Sequence, residues 1–347
     1  PKLTRQKKLA HGLVTAKTLP EFLVEIGVKE ILAHRLAFIV GGHHGFFPSA
    51  EDISDKNLDF ALAGYGTDNI WWQRKYSLEV FQQLLEFVKL TSQDLPTQCD
   101  NASTMILAGL TTVSDWIASN PDEKTGFPYI NDDQTFREYS KDLNQRAKDV
   151  LKIIGWSSLP IGNPLSFVEL FPQIKVPRKL QSHVETVAQN LEVPCLVLVE
   201  ASMGEGKTEA AFYLADYLQQ RDGTGGFYIG LPTQSTSNAM FERVKNFLGS
   251  RYSKEDFPDF INLTLSHSAA PLKEDYQDSV CRLDYQEQVY DNDGSPQVVA
   301  REWHTGRRKS LLSPYGVGTV DQALMGVLQS KWQFVRLFGT LLCTLEP

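Results

Sequence analysis

Ala201-Ser202-Met203-Gly204-Glu205-Gly206-Lys207-Thr208 decides the fold of this chain. The octapeptide fits a Walker A loop with alanine at the first glycine position. It follows the apolar run Cys195 to Val199 and precedes a helical pattern from Glu209 to Gln220. In such a loop, glycines let successive backbone N–H groups wrap phosphate oxygens at the positive end of a helix. The lysine reaches the β- and γ-phosphates and the threonine hydroxyl ligates Mg²⁺. These roles fall on Gly204, Glu205, Gly206, Lys207 and Thr208, with ATP and Mg²⁺ as the ligands. The plain alternative, a glycine-rich turn with an exposed lysine, is disfavoured by the strand and helix patterns on either side.

Outward from the loop, Gly226 to Leu231 predicts a strand followed by a helix over Ser237 to Leu248, and Ile261 to Leu265 predicts another strand. Short apolar strands alternating with helices imply a parallel sheet. Around it lie segments placed as in superfamily 2 helicases. Gln181 stands where those enzymes carry an adenine-reading glutamine. Gly230-Leu231-Pro232-Thr233-Gln234 resembles their strand-gripping Pro-Thr motif, and Gly318-Thr319-Val320-Asp321-Gln322 leads into an amphipathic helix expected over Val317 to Phe338. Thr233, Gln234 and Thr319 are the candidate DNA contacts, and His267, not assigned as a ligand, is placed in a candidate helicase motif after the third strand. Each motif alone is a common loop sequence. Their order around one Walker loop makes the joint case.

The first half reads differently. Apolar residues recur at helical spacing in Ala33 to Val40, Leu78 to Leu90 and Met105 to Ile117, which predicts an all-α domain over residues 1–155. Pro160, Pro164, Pro172 and Pro177 then mark a linker over 156–180. Residues 181–347 form the α/β domain. Within the helical half, Gly41-Gly42-His43-His44-Gly45 sets two imidazoles at a helix end between glycines. His11 lies upstream and Asp115 downstream, and this is a ligand set suited to a hydrolytic divalent transition metal. One buried and one exposed histidine, with Asp115 on a polar helix face, is the bland alternative. His34, His183 and His304 are not assigned as ligands.

Composition sets bounds. A chain of 347 residues with 42% apolar and 22% charged residues is an ordinary folded protein of two or three domains. The net charge is −8, and residues 181–347 carry seven of those eight charges, partly in the run Glu274 to Asp293, which is expected as a solvated loop. Nucleic-acid binding therefore needs a local groove rather than global attraction. Four cysteines without a CxxC pair suggest neither disulfides nor zinc and fit a reducing cytosol. No run of about 18 apolar residues suggests a membrane span.

Taken together, Gly42-His43-His44-Gly45, Ala108-Gly109-Leu110 with Ser114-Asp115-Trp116-Ile117, Met203 to Ala210, Leu231-Pro232-Thr233-Gln234 with Ser237-Asn238, Trp303-His304-Thr305-Gly306-Arg307 and Gly318 to Gln322 resemble the CRISPR-associated helicase-nuclease of type I systems. That resemblance implies an HD-type nuclease domain joined to RecA-like helicase domains. It implies ATP-driven 3′ to 5′ unwinding and degradation of single-stranded DNA by a monomeric cytoplasmic enzyme, recruited by the Cascade surveillance complex. His11, His43, His44 and Asp115 would be metal ligands (Fe, Ni, Co or Mn), Lys207 and Thr208 would serve ATP and Mg²⁺, and Thr233, Gln234 and Thr319 would touch DNA phosphates. The family's initial His and His-Asp pair has no counterpart before His11, and its Asp-Glu-x-His motif has none before Pro347, so the resemblance implies a chain shortened at both ends. An HD-type nucleotide phosphohydrolase with a P-loop sensor is the alternative enzyme, and a Cascade-binding protein without either activity the alternative binder.

Overall fold

The computed structural model describes residues 10–62, 74–91, 93–129, 133–156, 161–223, 225–252, 260–281, 297–306 and 308–342. By compactness the chain forms two units, residues 1–119 with 326–338, and 120–325 with 339–347.

Among the described residues the first unit is helical. Its principal helices are His11–Glu25, Glu30–Gly41, Arg74–Val88 and Asn101–Ala118; they contain the periodic segments Ala33 to Val40 and Met105 to Ile117 whole and Leu78 to Leu90 as far as Val88. Their inward faces bury Phe22, Leu23, Leu32, Ala33, Ala37, Ile39, Ala108 and Val113. Asp100 caps the helix Asn101–Ala118 by accepting from the Ser103 N–H at 2.7 Å, which satisfies one of the free donors of its first turn. Small residues bring two helices unusually close. A methyl group on Gly12 would lie 2.7 Å from the Gly41 carbonyl oxygen, and one on Gly41 would lie 2.7 Å from the Ala16 Cβ.

The second unit contains a five-stranded, wholly parallel sheet: β1 Phe227–Leu231, β2 Phe260–Ser266, β3 Val280–Cys281, β4 Gln297–Arg301 and β5 Tyr315–Thr319, in the order β1-β5-β2-β4-β3. Leu231 pairs with Thr319 and Ser266 with Gly318, so the C-terminal ends of β1, β5 and β2 lie side by side. Helices Lys207–Asp222 and Gln234–Arg251 pack on it through a core that includes Phe212, Phe241, Val244, Ile261, Leu263, Leu265 and Val317. The proline-rich stretch is partly built into this core: Ser166 caps a short helix Phe167–Leu170, and Phe167, Leu170 and Phe171 are buried. Inside the unit, Gln219 Nε2 donates to the Tyr315 hydroxyl at 2.8 Å, and the Tyr252 and Tyr315 hydroxyls meet at 2.6 Å.

Three expectations are corrected. Cys195 to Val199 is not a strand: it has no ladder partner among the described residues, and Leu196 and Leu198 are exposed. An apolar run becomes a strand only where a neighbour pairs with its backbone. Val317 to Thr319 is not helical but the end of fully buried β5, and the two helices beyond it, Val320–Leu324 and Gln333–Leu342, are separate. The acidic run is no simple loop either, since it opens with helix Glu274–Asp278 and leads to β3, while residues 282–296, Arg307 and 343–347 lie outside the described residues.

Candidate functional site

In the helical unit, three imidazoles converge. His11 starts its helix, while His43 and His44 follow the end of helix Glu30–Gly41, whose close approach at Gly12 and Gly41 sets the two helix ends together. One ring nitrogen from each of His11, His43 and His44 lies within 4.8 Å of the others. The His11 and His43 Nε2 atoms are 2.8 Å apart, and His43 Nδ1 lies 2.6 Å from the Val40 carbonyl oxygen. A carbonyl only accepts, so Nδ1 carries the proton and donates it, and the His43 Nε2 lone pair is aimed at His11. This is the outer hydrogen bond by which metal-ligating histidines are oriented.

Burial, followed by the neighbouring His43 charge, lowers the His11 pKa, with Asp115 partly offsetting it. Burial likewise lowers that of His44, helped by His43, His11 and Lys331 and opposed by Asp115. Both shifts favour the neutral imidazole that binds cations. Three imidazole nitrogens with a carboxylate nearby fit a divalent transition metal by donor chemistry. Asp115, half-buried on the helix Asn101–Ala118, stands outside the tight histidine group but inside its field. Lys331 was not foreseen. It is brought to the histidine loop by the returning segment 326–338, where Trp332 N–H donates to the Gly45 carbonyl at 3.1 Å.

In the sheet unit, Gly204 and Gly206 adopt φ of +82° and +80°, left-handed values that glycine takes without strain, and Gly206 opens helix Lys207–Asp222. Lys207 Nζ donates to the Ala201 and Ser202 carbonyls at 2.6 and 2.8 Å, so the ammonium lies over the loop. Gln181 is buried, and its Oε1 accepts from the Arg178 N–H at 3.0 Å. A methyl on Gly206 would meet Gln181 Nε2 at 2.0 Å, so the expected adenine reader packs on the phosphate loop itself. Thr208 and Glu205 are half-buried in the loop region. Positive-φ glycines, a lysine folded over the loop and a following helix fit a nucleotide's phosphates.

The strand-gripping candidates share one edge. Thr233 caps helix Gln234–Arg251, its Oγ1 accepting from the Thr236 N–H at 3.2 Å. Gln234 Nε2 donates to Ser268 Oγ at 2.8 Å, and Thr319 is buried at the end of β5, where its carbonyl accepts from the Tyr228 hydroxyl at 3.0 Å. His267, just past β2, accepts the Ala269 N–H at Nδ1, so its Nε2 is protonated and donates to Asn238 Oδ1 at 2.9 Å. Arg243 was not foreseen: its guanidinium lies against Thr208 and Glu209.

The chain thus joins a helical unit carrying a three-histidine cluster to a unit with a glycine-rich loop ahead of a helix, the class of protein that pairs a candidate metal site with a candidate phosphate loop. Residues 1–123 match the family model described as Cas3, HD domain. The chain is 36% identical over 345 residues to the CRISPR-associated endonuclease/helicase Cas3 of Thermus thermophilus, covering 96% of this chain and 35% of that protein. It is 30% identical over 350 residues to the CRISPR-associated nuclease/helicase Cas3 of Streptococcus thermophilus, with 97% and 35% covered. The structure of T. fusca Cas3 with AMPPNP superposes with a TM-score of 0.75 at 29% identity, over 97% of this chain and 36% of that one. Along nearly its whole length, the chain is thus related to the Cas3 nuclease/helicases, and it spans about a third of the length of these relatives.

Proposed function

We propose that this chain is the nuclease domain and first RecA-like domain of an ATP-dependent 3′ to 5′ single-stranded DNA translocase that cuts DNA with divalent metal and is recruited by a Cascade-type complex. In sequence the two domains would take residues 1–155 and 181–347, with 156–180 between them, while in compactness residues 120–155 go with the second unit and 326–338 with the first. The observation that carries this reading is the His11–His43 Nε2 pair at 2.8 Å, with His44 completing a set of lone pairs able to meet on one cation.

Cations bound there would supply Lewis-acid polarisation of the scissile phosphate. His43 is held in register by Val40, Asp115 balances charge around His11 and His44, and Lys331 adds a positive group on the side of His44. In the other unit, Gly204, Glu205, Gly206, Lys207 and Thr208 would cradle ATP·Mg²⁺, Gln181 would sense the base, and Thr233, Gln234 and Thr319 would hold the DNA backbone.

The deciding experiment measures metal-dependent cleavage of single-stranded DNA and DNA-stimulated ATP hydrolysis in the complete protein that carries this chain. Both activities are expected. Hydrolysis of free nucleotides without cleavage of DNA would overturn the proposal in favour of a phosphohydrolase.

A further inference from the structure

Helix Gln234–Arg251 begins beside Thr233, and ten residues further on it carries Arg243 to the phosphate loop. There Nη2 donates to Glu209 Oε1 at 2.6 Å and Nη1 to Thr208 Oγ1 at 3.4 Å. One guanidinium therefore forks across the hydroxyl assigned to Mg²⁺ and the carboxylate next to it. A divalent ion on Thr208 Oγ1 would face that guanidinium at a few ångströms, where like charges repel appreciably even near the surface. The two compete for one hydroxyl oxygen. The ion pair has an exposed side, with side chains 47% and 24% accessible, so shifting the arginine breaks no buried contact.

We propose that Arg243 is a positioning residue that holds the Thr208 hydroxyl against premature Mg²⁺ entry and withdraws onto Glu209 when the Mg-nucleotide binds. This rests on the nucleotide assignment of the loop. Arg243 shares its helix with Gln234 and with the cap residue Thr233, about 15 Å away along the axis. Strand binding at the start of the helix and cation entry at its middle therefore act on one rigid element, and their coupling is reciprocal.

The test titrates Mg²⁺ into the complete protein with a fluorescent non-hydrolysable ATP analogue, with and without single-stranded DNA. Arg243→Met should lower the half-saturating Mg²⁺ at least threefold without DNA, and at least halve the effect of DNA on nucleotide affinity. Arg243→Lys, which keeps the charge, should stay closer to the parent protein. Arg243→Gln replaces the Met variant if that one does not melt like the parent. Curves for the charge-removing variant that superimpose on the parent overturn the proposal, provided Lys207→Ala has lost nucleotide binding. If Lys207→Ala binds undiminished, the nucleotide assignment of the loop is itself wrong.

Discussion

Gly12→Ala should weaken the histidine centre without touching a ligand. In an open helix this change would stabilise by about 1 kcal/mol, because alanine loses less backbone entropy. At this site the added methyl lies 2.7 Å from the Gly41 carbonyl oxygen and 3.3 Å from His43 Cε1, and the first of these is backbone that cannot swing aside. Overpacking of this kind costs about 1–3 kcal/mol, so the net effect is a loss of roughly 0–2 kcal/mol, or a few degrees in melting temperature. The larger consequence is geometric. Separating the helix ends moves His11 from His43, and disturbing the support of a metal shell typically lowers affinity about 10–100-fold. Calorimetric Mn²⁺ titration and thermal melts of the complete protein would measure both effects. Gly249→Ala is the control: it lies in helix Gln234–Arg251 with nothing within 4 Å of the added methyl, and it should stabilise. If Gly12→Ala stabilises as much as the control and binds metal like the parent, the packing argument fails.

The centres sit on different compact units, so their chemistries should separate. In the complete protein, His43→Ala should abolish DNA cleavage while ATP turnover persists, and equal loss of both in a folded variant would refute two independent sites. In the complete protein, the proposed role of Lys207 in neutralising charge on the transferred phosphoryl group predicts that Lys207→Ala removes ATP-driven unwinding and spares metal-dependent nicking of single-stranded DNA; undiminished unwinding would sink the Walker assignment. Buried His304 has its pKa pushed down to about 3 by loss of solvent. Below its ordinary pKa of 6.5 the unfolded chain takes a proton that the folded one refuses. Stability is therefore full above that value and falls with acid, by about 2 kcal/mol at pH 5. His304→Asn should flatten this acid limb, and parallel pH profiles for parent and variant would contradict the assignment.

The histidine centre was legible because its signal is local: Gly41-Gly42-His43-His44-Gly45 carries two imidazoles and the flexible turn they need. His11 joined it only through composition and distance along the chain, and the structure adds the glycine contact that makes the pairing physical. The central strand was hidden for the opposite reason. Tyr-Gly-Val-Gly-Thr lacks the β-branched alternation of a strand, since a methyl at Gly318 would lie 2.1 Å from the Ser266 carbonyl and 2.5 Å from the Tyr228 hydroxyl. Its glycines record close neighbours rather than backbone preference. Cys195 to Val199 erred the other way, with strong apolar pattern but no strand beside it among the described residues. Arg243 and Lys331 carry no signature at all, because their partners are set by tertiary placement.

The strand order also constrains how this protein is made. Among the described residues β5 is the last strand of the sheet in sequence, yet it lies between β1 and β2, which do not pair with each other. A ribosome adds residues N-terminal first at roughly 5–20 per second, so β2 waits roughly 3–10 s after Ser266 is synthesised before Thr319 is even joined to the chain. β1 waits longer. Throughout that interval two apolar strands offer unpaired edges to any neighbouring nascent chain, which is the setting for strand-to-strand aggregation. Slow translation of residues 267–319 should therefore lower the soluble yield more than slow translation of residues 10–62, where the helices His11–Glu25 and Glu30–Gly41 are adjacent in sequence and meet as soon as both are made.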